Sequence, residues 1–238
     1  MAKLFRESKT SFKIKIGDFL FKYRSFTPIP LMIIVILFFR PIDYGKNNLM
    51  LNLCGFFISI IGEFIRVLGI GFSFSGTSGR ENYLRADNLN MTGIYSIVRN
   101  PLYIGNVLIY SGILVVFSNL FAILIFDIFI ILQYYFIILS EEDYLRKKYG
   151  KDIDLYFKNA SRVVPNFKGY KKPILKFNLK KVVFNENDSI FNILMMFILM
   201  LAYKERIFYG GIDNIKIYVI PGTFLVFVYA IIKILKKH

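Results

Sequence analysis

Histidine and cysteine are nearly missing from this chain, and tryptophan is missing altogether. Of 238 residues one is cysteine, Cys54, and one is histidine, His238, at the very end. A lone cysteine inside an apolar block gives no disulfide framework. With so few soft ligands, zinc chemistry is not expected, and a histidine general base falls outside the expected mechanisms. Acidic residues are scarce as well, 16 Asp and Glu against 31 Lys and Arg, for a formal net charge of +15. The N-terminal stretch has no apolar h-region and no small-residue cleavage site, so no signal peptide is expected. Internal repeats and low-complexity tracts are not visible either, which reads as one helical domain plus an appended C-terminal hairpin.

What the chain does have is apolar sequence in long blocks. It is 55% hydrophobic and 18% aromatic, with a mean hydropathy of +0.51. The blocks 28–39, 49–74, 102–117, 120–139, 190–203 and 217–235 approach the ~20 residues that cross a bilayer. Positive charge is interspersed with them, which fits a membrane surface and excludes nucleic acid as the expected partner. Residues 1–24 carry seven Lys and Arg among Leu4, Phe5, Phe12, Ile14, Ile16, Phe19, Leu20 and Phe21, a basic amphipathic segment suited to an anionic leaflet.

Charge is therefore informative wherever it interrupts a block. Glu63 and Arg66 lie in the second run at i,i+3, on one helical face, and are expected to pair. Gly69 and Gly71 end that run and would let a backbone or a flat ligand approach closely. Asp127 sits alone in the fourth run and is a functional candidate by its position. Ser118 and Asn119 predict a tight turn between the third and fourth runs, hence an antiparallel hairpin.

The stretch 93–106, G-I-Y-S-I-V-R-N-P-L-Y-I-G-N, opens the third run. Pro101 suits the first turn of a helix, where its missing N–H has no partner to lose. Asn100 is then the expected N-cap, its side-chain oxygen accepting backbone N–H groups. Arg99 stands outside, at the positive end of the helix dipole, which makes this an anion-receptive mouth. After the fourth run, residues 140–160 continue as a soluble helix that begins with Glu141, Glu142 and Asp143, and 162–181 is basic and broken by Pro165 and Pro173. With both termini inside, the cytoplasmic segments hold 25 Lys and Arg and the outer loops five, Arg40, Lys46, Lys204, Arg206 and Lys216. That excess orients about six transmembrane helices with both ends in the cytoplasm. The expected fold is an all-α integral membrane protein whose cytosolic cofactor pocket is closed by a soluble helix.

The motifs carry a resemblance. Y-S-I-V-R-N-P-L-Y-I-G, followed about forty residues later by E-E-x-x-L-x-x-x-Y-G-x-x-x-x-x-Y and then R-V-V-P, resembles the isoprenylcysteine carboxyl methyltransferase and phospholipid methyltransferase superfamily. Those are integral-membrane enzymes that use S-adenosylmethionine (SAM), and in them the two elements enclose the cofactor on the cytosolic side. The resemblance covers about 49–167. It places Arg99, Asn100, Pro101, Tyr103 and Gly105 in the first element, with Tyr95 just before it. The second holds Glu141, Glu142, Tyr149, Gly150, Tyr156 and Arg162, while Gly69 and Gly71 resemble the G-x-G of the phospholipid-methylating branch. Asn100 replaces the usual histidine, and Ile153 stands where tyrosine is common. Composition and resemblance together divide the chain into a basic amphipathic segment 1–24, a methyltransferase-like transmembrane core 25–167 with SAM elements at 69–106 and 140–165, and a basic surface segment plus C-terminal transmembrane hairpin at 168–238.

The missing histidine then constrains the acceptor. Methyl transfer from a sulfonium needs alignment, closeness and exclusion of water. An amine must shed a proton, whereas a phosphate or carboxylate oxygen is already a nucleophile. The expectation is O-methylation of an anionic lipid group, with Arg99 or Arg162 as catalytic residues holding the acceptor or the SAM carboxylate. Glu141 and Glu142 would take the cofactor's ammonium. The loop T-S-G-R…A-D-N-L-N-M-T-G is similar to a bacterial branch that includes lipid A 1-phosphate O-methyltransferases, which implies a bacterial inner membrane with the site on the cytoplasmic face. Isoprenylcysteine carboxyl or phospholipid N-methylation are alternatives. An NADPH-dependent sterol-type reductase using Lys147, Lys148 and Lys151, or a non-enzymatic scaffold, are further ones. The expected partners are the bilayer and a membrane lipid, with no metal.

Overall fold

Nine α-helices carry the described chain in order: α1 (Phe12–Tyr23), α2 (Pro28–Phe38), α3 (Asn48–Gly71), α4 (Ile94–Ile97), α5 (Pro101–Phe117), α6 (Leu120–Tyr149), α7 (Asp152–Asn159), α8 (Leu179–Tyr209) and α9 (Lys216–Lys237). The computed structural model describes residues 12–74, 83, 88–210 and 215–237. Leu4 and Phe5 of the basic segment lie outside the described residues, as do Arg80, Glu81, Arg85 and Asp87 of the loop before α4, and His238.

The centre of the bundle is a backbone-to-backbone contact between α3 and α5. A Cβ on Gly55 would come within 2.4 Å of the Gly112 carbonyl oxygen, and one on Gly62 within 2.6 Å of the Gly105 oxygen. Ser59 sits between them and donates to the Ile109 carbonyl at 3.0 Å. Small residues at these heights let two helices approach closely enough for dispersion to hold them, the usual device where hydrocarbon removes any hydrophobic drive. Gly105 therefore serves packing: a side chain there would meet Arg66 Cγ at 2.5 Å.

The turn between α5 and α6 is as tight as the sequence suggests. Ser118 adopts a left-handed conformation at φ 56°, and the Asn119 side chain caps α6 by accepting from the Ala122 N–H at 3.2 Å. Ser118 and Asn119 also donate to the Ile42 and Arg40 carbonyls at 3.0 and 2.8 Å. The hairpin is filled by Leu114, Val116, Phe117, Phe126, Ile130 and Ile137, against which Phe197 and Met200 of α8 pack. Asp127 is held by the Ser111 hydroxyl, 3.0 Å from each carboxylate oxygen.

Two helix pairs close the sides. The α1–α2 pair bends by 81°, and Thr27 at the corner donates to Gln133 Oε1 of α6 at 2.6 Å. On the other side α8 begins beside the end of α3, where the Lys181 ammonium donates to the Ser73 and Phe74 carbonyls at 2.8 and 3.1 Å. Helix α9 lies along α8, with Tyr229 stacked on Phe191 at 4.1 Å.

Among the described residues, three helices are long and apolar enough to cross a membrane: α3 with its preceding turn, α6 and α9, or four if the bent α1–α2 pair counts as one span. The expected six counts α2, α5 and α8 as spans of their own. Helix α2 has 11 residues and α5 has 17, short for a full crossing. Helix α8 is long enough at 31 residues, but its first turns are polar. The apolar helices make this an integral membrane protein.

Candidate active site

The two sequence elements, separated by forty residues, are stitched together by backbone. Gly93 adopts φ 61°, a conformation that favours glycine, and turns the chain so that its N–H donates to the Lys171 carbonyl at 2.8 Å. Val98 pairs with Ser161 as an isolated parallel bridge. Arg99 N–H donates to Ser161 O at 2.8 Å and Asn166 N–H to Ile97 O at 2.9 Å. The segment after α7 is thus laid beside the segment before α5. Gly150, also at φ 61°, ends α6 and starts α7, so its place in the Y-G motif is a backbone requirement. Tyr156 of α7 fastens the same junction, its hydroxyl donating to the Tyr95 carbonyl at 2.9 Å. Burial holds the Tyr156 phenol well above its usual pKa.

Asn100 does not cap α5. Its side chain makes no cap bond to the helix and instead donates through Nδ2 to the Arg162 carbonyl at 2.9 Å. The amide is thereby turned toward the segment that follows α7 and away from the first turn of α5.

Glu141 and Glu142, adjacent in sequence, point different ways, since neighbours on a helix lie about 100° apart. Glu142, only 5% exposed, accepts from Arg99 Nη2 at 3.0 Å and from Arg162 Nε and Nη2 at 3.0 and 2.6 Å. Arg99 also donates to the Phe157 carbonyl at 3.2 Å and stacks on that residue's ring at 4.4 Å. Burial pulls the Arg99 guanidinium below its usual pKa, opposed in part by Glu142. The Glu142 hydrogen bonds hold Arg162 above its own. Glu142 is therefore paired with two arginines and does not line the cavity, whereas the sequence expectation put it beside Glu141 at the cofactor's ammonium.

Glu141 faces the other way, accepting from the Tyr103 hydroxyl at 2.8 Å, on a cavity of about 480 Å³. Arg99, Asn100, Pro101 and Tyr103 line the same cavity, so a cationic and an anionic group from the two elements do share one hollow. Arg162 and Glu142 stand behind its wall. Gly69 and Gly71 are not on it. A Cβ on Gly71 would meet the Phe177 ring at 2.1 Å and one on Gly69 would meet Leu102 at 3.0 Å, so the room expected for a ligand is filled by protein. Tyr95 is buried beside Gly69, 3.5 Å from where that Cβ would lie.

Sequence reasoning missed the far wall. Arg66 pairs with Glu63 at 3.6 Å as expected, but more closely with Glu186 of α8, at 2.8 Å from Nη2. Glu186 is fully buried. Arg66 also donates to Asn106, and Asn106 Nδ2 donates to the Tyr134 hydroxyl at 2.8 Å. Tyr134 stacks on Tyr103 with ring centroids 4.7 Å apart. Arg24 reaches the cavity from the α1–α2 corner, its guanidinium over the Phe21 ring at 4.1 Å. The signal available was the run Asn185–Ser189, five consecutive polar residues ahead of an apolar stretch.

No curated protein and no solved structure matches the chain. The phospholipid methyltransferase family model matches residues 48–152, from the first residue of α3 to the first of α7. That span holds Arg66, Arg99, Tyr103, Asn106, Tyr134 and Glu141 of the cavity, and stops short of Arg162 and α8. The match supports a membrane methyltransferase in general, with the superfamily read from the two motifs.

Proposed function

We propose that the protein is a SAM-dependent methyltransferase that O-methylates an anionic group of a membrane lipid. The observation that carries this reading is that Glu141 and Arg99 line one cavity whose size falls in the range of about 300–1,000 Å³ common for small-molecule sites. The donor set fits SAM. Glu141 suits the ammonium of its amino-acid end, Arg99 the carboxylate, and the stacked Tyr103 and Tyr134 rings offer an aromatic face to a sulfonium. When bound, SAM supplies an electrophilic methyl group and accepts no proton in return.

The protein's part is binding and exclusion of water. Glu142 and Arg162 position Arg99 from behind, and the segment after α7 is fastened beside the start of α5. Nothing on the wall is a histidine, so the acceptor that suits the site is an oxygen already ionised, a phosphate or carboxylate. Arg24 adds positive charge on the side nearest the amphipathic α1. Lipid A 1-phosphate is one acceptor of this chemistry. The reductase alternative is less well served, because Lys147 and Lys148 lie off the cavity and Lys147 is paired with Asp143 at 2.6 Å.

Calorimetric titration of the purified protein with SAM and with NADPH tests the reading. SAM is expected to bind and NADPH not to. Glu141→Gln should weaken SAM binding about tenfold or more, the scale of a charge-assisted hydrogen bond. Transfer of labelled methyl from SAM to lipid vesicles should give an oxygen-linked product. Binding of NADPH alone, or an N-methylated product, would refute it.

A further inference from the structure

One stretch serves neither the cavity nor the core. Residues 155–185 contain eight Lys and Arg and no Asp or Glu. The middle of this stretch, 163–177, joins α7 to α8 without forming an α-helix. Phe167, Tyr170 and Ile174 stand out from it, 58–73% exposed. Lys168, Lys171, Lys172 and Lys176 alternate with them and are exposed as well. Among the described residues none of these four lysines makes an ion pair.

The backbone fixes where this segment sits. The Asn178 N–H donates to the carbonyl of Gly71, the last residue of α3, at 3.0 Å. The Phe177 ring packs against Phe72 with centroids 5.2 Å apart. Further back, Lys171 O accepts from the Gly93 N–H at 2.8 Å and Asn166 N–H donates to Ile97 O at 2.9 Å. Helix α3 is long and apolar enough to cross a bilayer, so its last residue marks the boundary between lipid and water. A segment pinned at that boundary meets head groups. Aromatic rings settle at this depth, and lysines lay their stems on apolar surface while the ammonium stays wet. Positive charge with no acid beside it draws anionic lipid. An acidic protein would answer the lysines but not the depth at which they are held.

We propose that 163–177 is a docking surface for an anionic leaflet, its rings seated among the head groups and its lysines gathering anionic lipid beside the start of α5. The proposal is independent of methyl transfer. The chain has no tryptophan, so Phe167→Trp supplies a single indole. The full-length variant is reconstituted in vesicles of phosphatidylglycerol and phosphatidylcholine in equal parts, with brominated chains on one lipid or the other, so that only the quencher moves. Phosphatidylglycerol is expected to be enriched about fivefold or more beside the indole, the preference that one lysine near a charged surface confers. Raising salt from about 0.1 M to about 1 M shortens the screening length from about 10 Å to about 3 Å and should remove most of that preference. Combining Lys168→Gln, Lys171→Gln, Lys172→Gln and Lys176→Gln should abolish it while quenching itself persists. Water-like emission that neither lipid quenches, as a segment turned toward a soluble acidic partner would give, would overturn the proposal. So would equal quenching by the two lipids, or a preference that survives high salt or the four glutamines.

Discussion

Replacing Glu142 by glutamine separates the roles of the two neighbouring acids. The substitution keeps the shape and removes the charge that two guanidiniums share at 2.6–3.0 Å. Breaking a buried ion pair by removing one partner costs about 3–5 kcal/mol. Here the loss is smaller, because the Arg162 side chain is 39% exposed and can turn to water, whereas Arg99 at 11% cannot. About 2–3 kcal/mol is the expected cost. For a chain of this length that lowers the thermal midpoint by about 5–10 °C, measurable by dye-based or calorimetric unfolding in detergent. Glu142→Gln should also weaken SAM binding, since Arg99 loses its anchor, and adding Arg162→Met should cost less than the sum of the two changes. Glu141→Gln should do the reverse: a large loss of SAM affinity with a midpoint within about 2 °C of wild type, because the glutamine oxygen still accepts from Tyr103. If Glu142→Gln leaves the midpoint unchanged while Glu141→Gln lowers it, the division between a positioning and a binding carboxylate is wrong.

The α3–α5 contact gives a sharper steric test. Gly112→Val puts a Cβ 2.2 Å from Ser59 Oγ and 2.4 Å from the Gly55 oxygen, and should abolish the folded protein as seen by size-exclusion chromatography. Gly222→Ala in α9, whose nearest neighbour would be 3.9 Å away, should be neutral or slightly stabilising. Tyr156→Phe removes one buried hydrogen bond and should cost about 1 kcal/mol by thermal unfolding at neutral pH. Because burial raises the folded-state pKa of Tyr156, its contribution is complete below the unfolded value of about 10 and is lost as pH climbs through the folded one. The variant's deficit should therefore shrink at alkaline pH. A deficit that grows instead would show the phenol to be ionised in the native state.

The mouth of α5 was legible because Asn100 and Pro101 mark a helix start locally, and the tight turn at Ser118 because two residues cannot connect two helices otherwise. Glu63 beside Arg66 was legible for the same reason, as both sit on one face of one helix. Glu186 was not, since a partner 120 residues away in another helix leaves no trace in spacing. The pairing of Glu141 with Glu142 as one cofactor clamp failed on helical geometry alone, because consecutive residues diverge. The small residues Gly55, Ser59, Gly62, Gly105 and Gly112 fall at intervals of three, four and seven, so the central contact was written in the sequence, although attention to the charged residues passes over it. Asn100 misled because its side-chain amide is drawn to the Arg162 carbonyl, which arrives from a segment 62 residues further on.

The 17 residues of α5 give it a length of about 25 Å, some 5 Å less than the oily interior of a typical bilayer. A lipid approaching the mouth can keep its tails among its neighbours and slide its head sideways, rather than being hoisted into water at about 0.8 kcal/mol for every methylene exposed. On the proposed lipid substrate, the brevity of one helix would shorten the path from bilayer to cavity.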